Sequence, residues 1–577
     1  MILQALTEYY RTLADRGEIS PPGWGEVKVS FALCIGADGA LEQVISLRQE
    51  QQKGKKTVLA PQLMRLPAPV KRSSGILANF LCDTSSYFLG VDNKENPQRA
   101  LECFQACKDH HQNLLEHVEC PAAKAVLAFF RTFKPEQAAT HPALSQCWQE
   151  ILSGGNLVFR YEGMYLHQDP AIRQVWDNYY QTAGDGPEMV CLVTGKRGPV
   201  ESIHPPIKQV QGAQSSGAAL VSFNAPAFCS YGKEQNYNAP TSKYAAFAYT
   251  TALNHLLSDW EHVYRMGDAT VVCWAKCGGD VYQNMMGWAF FGQEPAYTLS
   301  DLQGALKNLC SGAMADLDGE RLDPNMDFYI LGISPNSARL SVRFFLHNSF
   351  GAFLQNAQAH QQRLEIVRPA NDRYNTLSLW KLLNETVNQN SRDKTPAPNM
   401  TGEVLRAILT NSRYPATLLN GVTLRIRADH RVTWGRAAIL KAYYLKNTHP
   451  DVPKEVLTVS LNPDSSNIPY NLGRLFSLLE AVQCRANPGI NATIKDKYFN
   501  SASATPGMVF PVLMNLAQKH LKKLDVGLRT YYDKQIGALL LKLGEDYPLR
   551  LNLPQQGSFQ LGYYHQTQSR FEKKEEK

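Results

Sequence analysis

The stretch that decides the fold is VKVSFALCIGADGALEQVISL, residues 27–47. Val27, Val29, Phe31, Leu33 and Ile35 alternate with Lys28, Ser30, Ala32 and Cys34, the period-two pattern of a half-buried strand. Gly36-Ala37-Asp38-Gly39 is a turn and the run from Leu41 to Leu47 returns, so the spacing predicts a β-hairpin. A second hairpin is written in MDFYILGISPNSARLSVRFFLH, residues 326–347, where Ser334-Pro335-Asn336-Ser337 separates two strand-like runs. Further strands are expected at 58–66, after a polar tip at 49–57, and at 156–162 and 270–275. Helices are expected at 97–152, 169–180, 243–264, 350–364 and 376–390. Residues 388–400 (NQNSRDKTPAPNM) read as a linker. Beyond it the expected elements are all helical: 401–411, 433–447, 471–485, 490–500, 508–525 and 527–544. The fold class is therefore α+β, an N-terminal mixed α/β region with antiparallel hairpins followed by a C-terminal all-helical bundle. The expected division is 1–395, with a sub-boundary near 185, and 396–577.

Composition narrows the function. The 577 residues are 44% hydrophobic and 10% aromatic, enough for packed cores and far from disorder. The net charge is +7, and its distribution says more than its size. Residues 396–577 hold 24 Lys+Arg against 14 Asp+Glu, whereas the first 395 hold 35 against 38. The basic balance is C-terminal, as expected of a part that meets a polyanion. No apolar run approaches the ~18 residues of a membrane span. The opening MILQALTEYYRTLADRG reads as an amphipathic helix, not a signal peptide. Eleven of the twelve cysteines precede residue 311 without small-module spacing, and they read as free thiols in a reducing cytoplasm.

Catalytic signatures are missing. There is no GxxxxGK[ST] loop, HExxH or GxSxG, and no cofactor is implied. Gly212-Ala-Gln-Ser215-Ser216-Gly217 has the wrong spacing for a nucleophile elbow, although a hydrolase using Ser215 or Ser216 is the rival enzyme reading. Cys103, Cys107 and His110 or His111 share a helical face and could converge on a metal, but a buried thiol face explains them equally.

Three patterns suit nucleic acid. The segment 69–80 carries Lys71 and Arg72 for phosphates, Ser73, Ser74 and Asn79 as polar contacts, and Phe80 as a wedge between bases. The block 204–233 adds Lys208, Gln214, Ser215, Ser216, Asn224 and Lys233, with Gly212 and Gly217 permitting close backbone approach. Phe223, Phe228 and Tyr231 offer stacking faces there. In the basic region, Arg425, Arg427, Arg431 and Arg436 are interleaved with Trp434, Tyr443 and Tyr444, and Lys519, Lys522 and Lys523 form a second patch. Ordinary loops and solvated helix faces are the plain alternatives.

The stretch CLVTGKRGPVESIHPPIKQVQGAQSSGAALVSFNAPAFCSYGKEQNYNAP, residues 191–240, followed by KYAAFAYTTALNHLL and GDATVVCWA, resembles the large subunit of the type I-C CRISPR surveillance complex, Cascade. MILQALTEYY, VKRSSGI…NFLCDTSSYFLG, the 326–345 hairpin and GSFQLGYYHQ extend the resemblance over essentially the whole chain. The resemblance implies a non-catalytic, cytoplasmic subunit that reads the protospacer-adjacent motif on duplex DNA. It also implies help in separating the strands, retention of the displaced strand, and recruitment of a helicase–nuclease. The implied partners are target DNA, guide RNA and the other Cascade subunits, and no membrane. A C-terminal bundle acting as a small subunit, also made from an internal translation start, is implied as well. A scaffold binding the guide RNA backbone is the other rival reading.

Overall fold

The computed structural model describes residues 1–53, 56–70, 72, 75–93, 97–182, 186–369, 377–392, 394–544 and 547–571. They form two compact units, one of Met1–Ile207 with Ala219–His255, the other of Lys208–Ala218 with Leu256–Lys577.

The first unit is built on the strand Trp24–Ile35. Its second half pairs antiparallel with Leu41–Ser46, from Phe31 opposite Ser46 to Ile35 opposite Leu41. Its first half pairs with Gln62–Pro67. On its other side, Asn156–Tyr161 runs parallel to it, and Cys82–Thr84 closes that edge. A parallel neighbour requires a crossover, and the helices Pro97–Leu115 and Pro121–Thr132 lie on that route. They bring Cys107, Val126, Phe129 and Phe130 onto Phe31, Leu33, Ile35 and Phe159. Val29, Ala32, Leu66 and Val158 form a smaller core of their own. The strand is thus buried on both faces around Ser30–Leu33 rather than half-buried, because the parallel partner carries it into the middle of the sheet. The polar tip is itself a ribbon, Gln49–Lys53 against Lys56–Ala60. The opening helix Ile2–Asp15 buries Leu6, Tyr9, Tyr10 and Leu13, the stripe its sequence displays.

The second unit carries the sheet Tyr264–Met266, Ala269–Ala275, Asp327–Asn336, Arg339–Ser349, antiparallel throughout. The last two strands are the second hairpin, turned at Ser337 with φ +55°. Helices Asp280–Met286, Leu299–Cys310 and Phe350–Leu364 contribute to the core beside the sheet. That core continues through the 388–400 stretch without a break, since Leu364 and Ile366 share it with Met400 and Val404. The helical C-terminal region follows. Ile468–Ala486 packs along Leu553–Ser569, and the backbones meet where side chains are absent: a Cβ on Gly562 would lie 2.0 Å from the Tyr470 carbonyl oxygen. Ile494–Ala504, Pro506–Leu521 and Val526–Leu543 pack on the same helix, Ile468–Ala486.

Candidate nucleic-acid interface

The segment following Val70 is organised around one buried carboxylate. Lys71, Ser73 and Ser74 lie outside the described residues. Arg72 directs its guanidinium inward: Nη1 donates to Asp83 Oδ1 at 3.0 Å, Nη2 to Oδ2, and Nε to the Leu77 carbonyl at 2.6 Å. The backbone N–H groups of Asn79 and Thr84 donate to the same carboxylate at 2.9 and 2.8 Å. Asn79 Oδ1 accepts the Val70 N–H at 2.9 Å, tying the two ends of the loop together. Phe80 is fully buried and stacks on Trp176 at 5.4 Å, with His111 alongside. In this conformation Arg72, Asn79 and Phe80 hold the loop, and the polar face they were expected to form is turned inward.

The glycine-rich block divides between the units. Residues 208–218 belong to the second, where buried Val210 and Ala218 pin a loop of two successive turns. Ala213 N–H donates to Val210 O and Gly217 N–H to Gln214 O, with Gly212 and Gly217 at φ +78° and +92°. Gln211 N–H donates to Thr270 Oγ1 on the sheet. The loop thereby exposes Gln214, Ser215 and Ser216, with Lys208 exposed at its start. Neither serine hydroxyl is bonded to a histidine among the described residues.

Asn224 and Lys233 lie in the first unit and are exposed. There the Asn238 side chain clamps a tight turn, accepting the Ser230 N–H and donating to the Lys233 and Gln235 carbonyls at 2.8–3.0 Å. The turn places Tyr231 at φ +53° and leaves it 99% exposed. A large aromatic held in the left-handed region with its ring in solvent is costly unless the ring has a use.

The basic helices also separate into inner and outer cations. Arg436 is 4% exposed. It donates to Asp429 Oδ2 at 2.5 Å and to the Arg431 carbonyl at 2.9 Å, and its Nε lies 3.4 Å from Glu385 Oε2. Arg425 pairs with Asp429 as well. Burial would raise the Asp429 carboxyl, but the bonds from Arg436 and Arg425 win and hold it below its ordinary range. Arg427 donates to Gln556 Oε1 at 2.8 Å while its residue stays exposed. Arg431, Lys519 and Lys522 are exposed, and Lys523 reaches Asn487 Oδ1 at 3.0 Å. Arg431 also lines a groove of about 330 Å³ with Trp434, Lys495, Tyr563, Thr567 and Gln568, residues the sequence reading left out because they sit on helices far apart in the chain.

The Cys103/Cys107/His111 face is interior. His111 Nδ1 bonds the Cys107 carbonyl at 2.8 Å and its Nε2 accepts the Leu81 N–H at 3.1 Å, so both ring nitrogens are occupied. Among the described residues no group of three or more His, Cys, Asp or Glu could hold a metal ion. Among the same residues no helix is long and apolar enough to cross a membrane.

Fold and surfaces together define a large α+β protein that presents polar, cationic and aromatic loops on rigid supports. Residues 6–571 match the family described as CRISPR-associated protein (Cas_Csd1), and the chain belongs to that family. No curated protein matches it.

Proposed function

We propose that this CRISPR-associated protein is the non-catalytic large subunit of a type I-C Cascade complex. In this reading it recognises the protospacer-adjacent motif on duplex DNA, assists strand separation, stabilises the R-loop and recruits the helicase–nuclease for antiviral defence. Its partners are the target duplex and displaced strand, the guide RNA and the other Cascade subunits. The observation that carries the reading is the family match over residues 6–571. The division of labour has a physical basis: guide pairing reads sequence, so the protein needs to read only a short motif and the shape of the duplex. Exposed Gln214, Ser215 and Ser216 support it, because amide and hydroxyl groups on a pinned loop suit a groove edge. Lys208 and Lys233 suit phosphates.

The test is a reconstituted complex on duplexes with correct and altered motifs. Gln214→Ala with Ser215→Ala should lower the correct-to-altered affinity ratio about tenfold, as expected for a base-edge contact of about 1–3 kcal/mol. Guide loading should survive. A wild-type complex that binds both duplexes equally would refute motif reading.

A further inference from the structure

The groove of about 330 Å³ between the C-terminal helices has an unusual lining. Arg431 makes no ion pair among the described residues. Lys495 stands 3.8 Å from Glu480, whose other oxygen accepts the Tyr563 O–H at 2.7 Å. The carboxylate in the wall, Glu385, is already engaged by Arg436 and by the Thr433 hydroxyl at 2.7 Å. The positive charge facing the groove is therefore left over after the acids are satisfied. The half-buried Trp434 forms an aromatic wall, with the Arg368 guanidinium 5.8 Å from its ring centroid. Thr567 and Gln568 add a hydroxyl and an amide.

Cations, an aromatic face and an amide in one small concavity match the parts of a nucleotide. The volume lies near the small end of ligand pockets, roughly 300–1,000 Å³, which suits one nucleotide and excludes a duplex. We propose that this groove holds a single nucleotide of single-stranded DNA, its phosphate between Arg431 and Lys495 and its base against Trp434. The inference rests on the reading that this protein retains the displaced strand, and it names where one nucleotide of that strand is anchored.

The test uses the full chain and fluorescein-labelled dT20, followed by anisotropy between 50 and 200 mM salt. Arg431→Gln with Lys495→Gln should weaken binding about tenfold or more and flatten the salt slope by roughly 1.4, at about 0.7 per lost contact on a single strand. Trp434→Leu should leave the slope and narrow the preference for dT20 over an abasic 20-mer, with a thermal melt checking the fold. If that variant unfolds, the Arg431/Lys495 pair still decides. Lys519→Gln with Lys522→Gln, outside the groove, should flatten the slope yet keep the preference for bases. Unchanged affinity and slope in the Arg431/Lys495 variant, with wild type binding dT20, would overturn the groove while displaced-strand retention stands. A wild type that fails to bind dT20 would overturn both. Binding of rU20 tenfold tighter than dT20, lost in the same variant, would assign the groove to the guide strand and overturn the DNA assignment.

Discussion

The guanidinium of Arg72 is clamped by the carboxylate of Asp83, whose side chain is wholly buried. Burial pushes the Asp83 carboxyl up, and the Arg72 bonds with the Asn79 N–H work against that. Removing the arginine would leave a buried acid with two backbone donors and no counter-charge. Arg72→Ala should therefore cost about 3 kcal/mol of stability, the scale for breaking a buried pair, read by urea unfolding of the full chain. A variant as stable as wild type but weaker on every duplex would make Arg72 a phosphate contact instead.

Arg436 and Arg431 are five residues apart and should behave differently. Arg436 joins Asp429, Glu385 and the Arg431 carbonyl inside the helical region, so Arg436→Gln should lower the unfolding midpoint and cost about 3 kcal/mol. Arg431→Gln should change stability by less than about 0.5 kcal/mol, because its side chain is exposed. Equal losses of stability would show that the inner and outer cations are not distinct.

This contrast shows where the sequence was readable. The two hairpins were legible because alternation is local: Phe31, Leu33 and Ile35 report one face without knowledge of any partner. The helix Leu553–Ser569 was not picked out, because it buries Gln556, Gln560, His565 and Gln566 all round and shows no apolar stripe. Its close partner is marked only by Gly473 and Gly562, whose meaning depends on a neighbour about ninety residues away in sequence. Ala416–Asp429 was also passed over. The expected helix at 376–390 shrinks to Leu379–Asn384 within the described residues. Cations were legible as a cluster, but which of them face solvent was not. Arg436 is internal because Asp429 and Glu385 reach it, and Arg431 is external because nothing does. The Phe80 ring likewise looks available in sequence and is covered by Trp176, which comes from a helix far along the chain.

Buried neutral histidines should set the acid limit. Burial lowers His111 and His360 to about 3, and His167, His204 and His565 to about 4, from an ordinary 6.5. Three of them sit against a tyrosine hydroxyl: His204 with Tyr249 at 2.7 Å, His360 with Tyr414 at 2.6 Å and His565 with Tyr470 at 2.9 Å. Below pH 6.5 the unfolded chain takes up protons that the folded chain refuses. Stability is therefore complete above that pH and falls as the pH drops toward 4, by about 1.4 kcal/mol per pH unit for each histidine. Urea midpoints at pH 7.5, 6.0 and 5.0 should decline steeply over the last step. A flat profile would mean that these rings are protonated in the folded protein.

Tyr231 is the sharpest test of the proposed role in strand separation. Its ring is in solvent, its backbone is left-handed, and Asn238 holds the turn that presents it. No core contact explains that arrangement, whereas a base stacked on an aromatic gains about 1–3 kcal/mol. Tyr231→Ala should leave the thermal midpoint unchanged, since it removes an exposed side chain from a strained position. In the assembled complex it should slow opening of a fully paired target about tenfold and leave binding to a target already unpaired beside the motif nearly unchanged. Tyr231→Phe should retain most of the opening rate, because the π-face remains. Asn238→Ala should mimic Tyr231→Ala, as the ring stays in the chain but loses its fixed presentation. Equal slowing on paired and pre-opened targets would assign Tyr231 to general affinity, and an unaffected opening rate in both variants would remove this turn from strand separation.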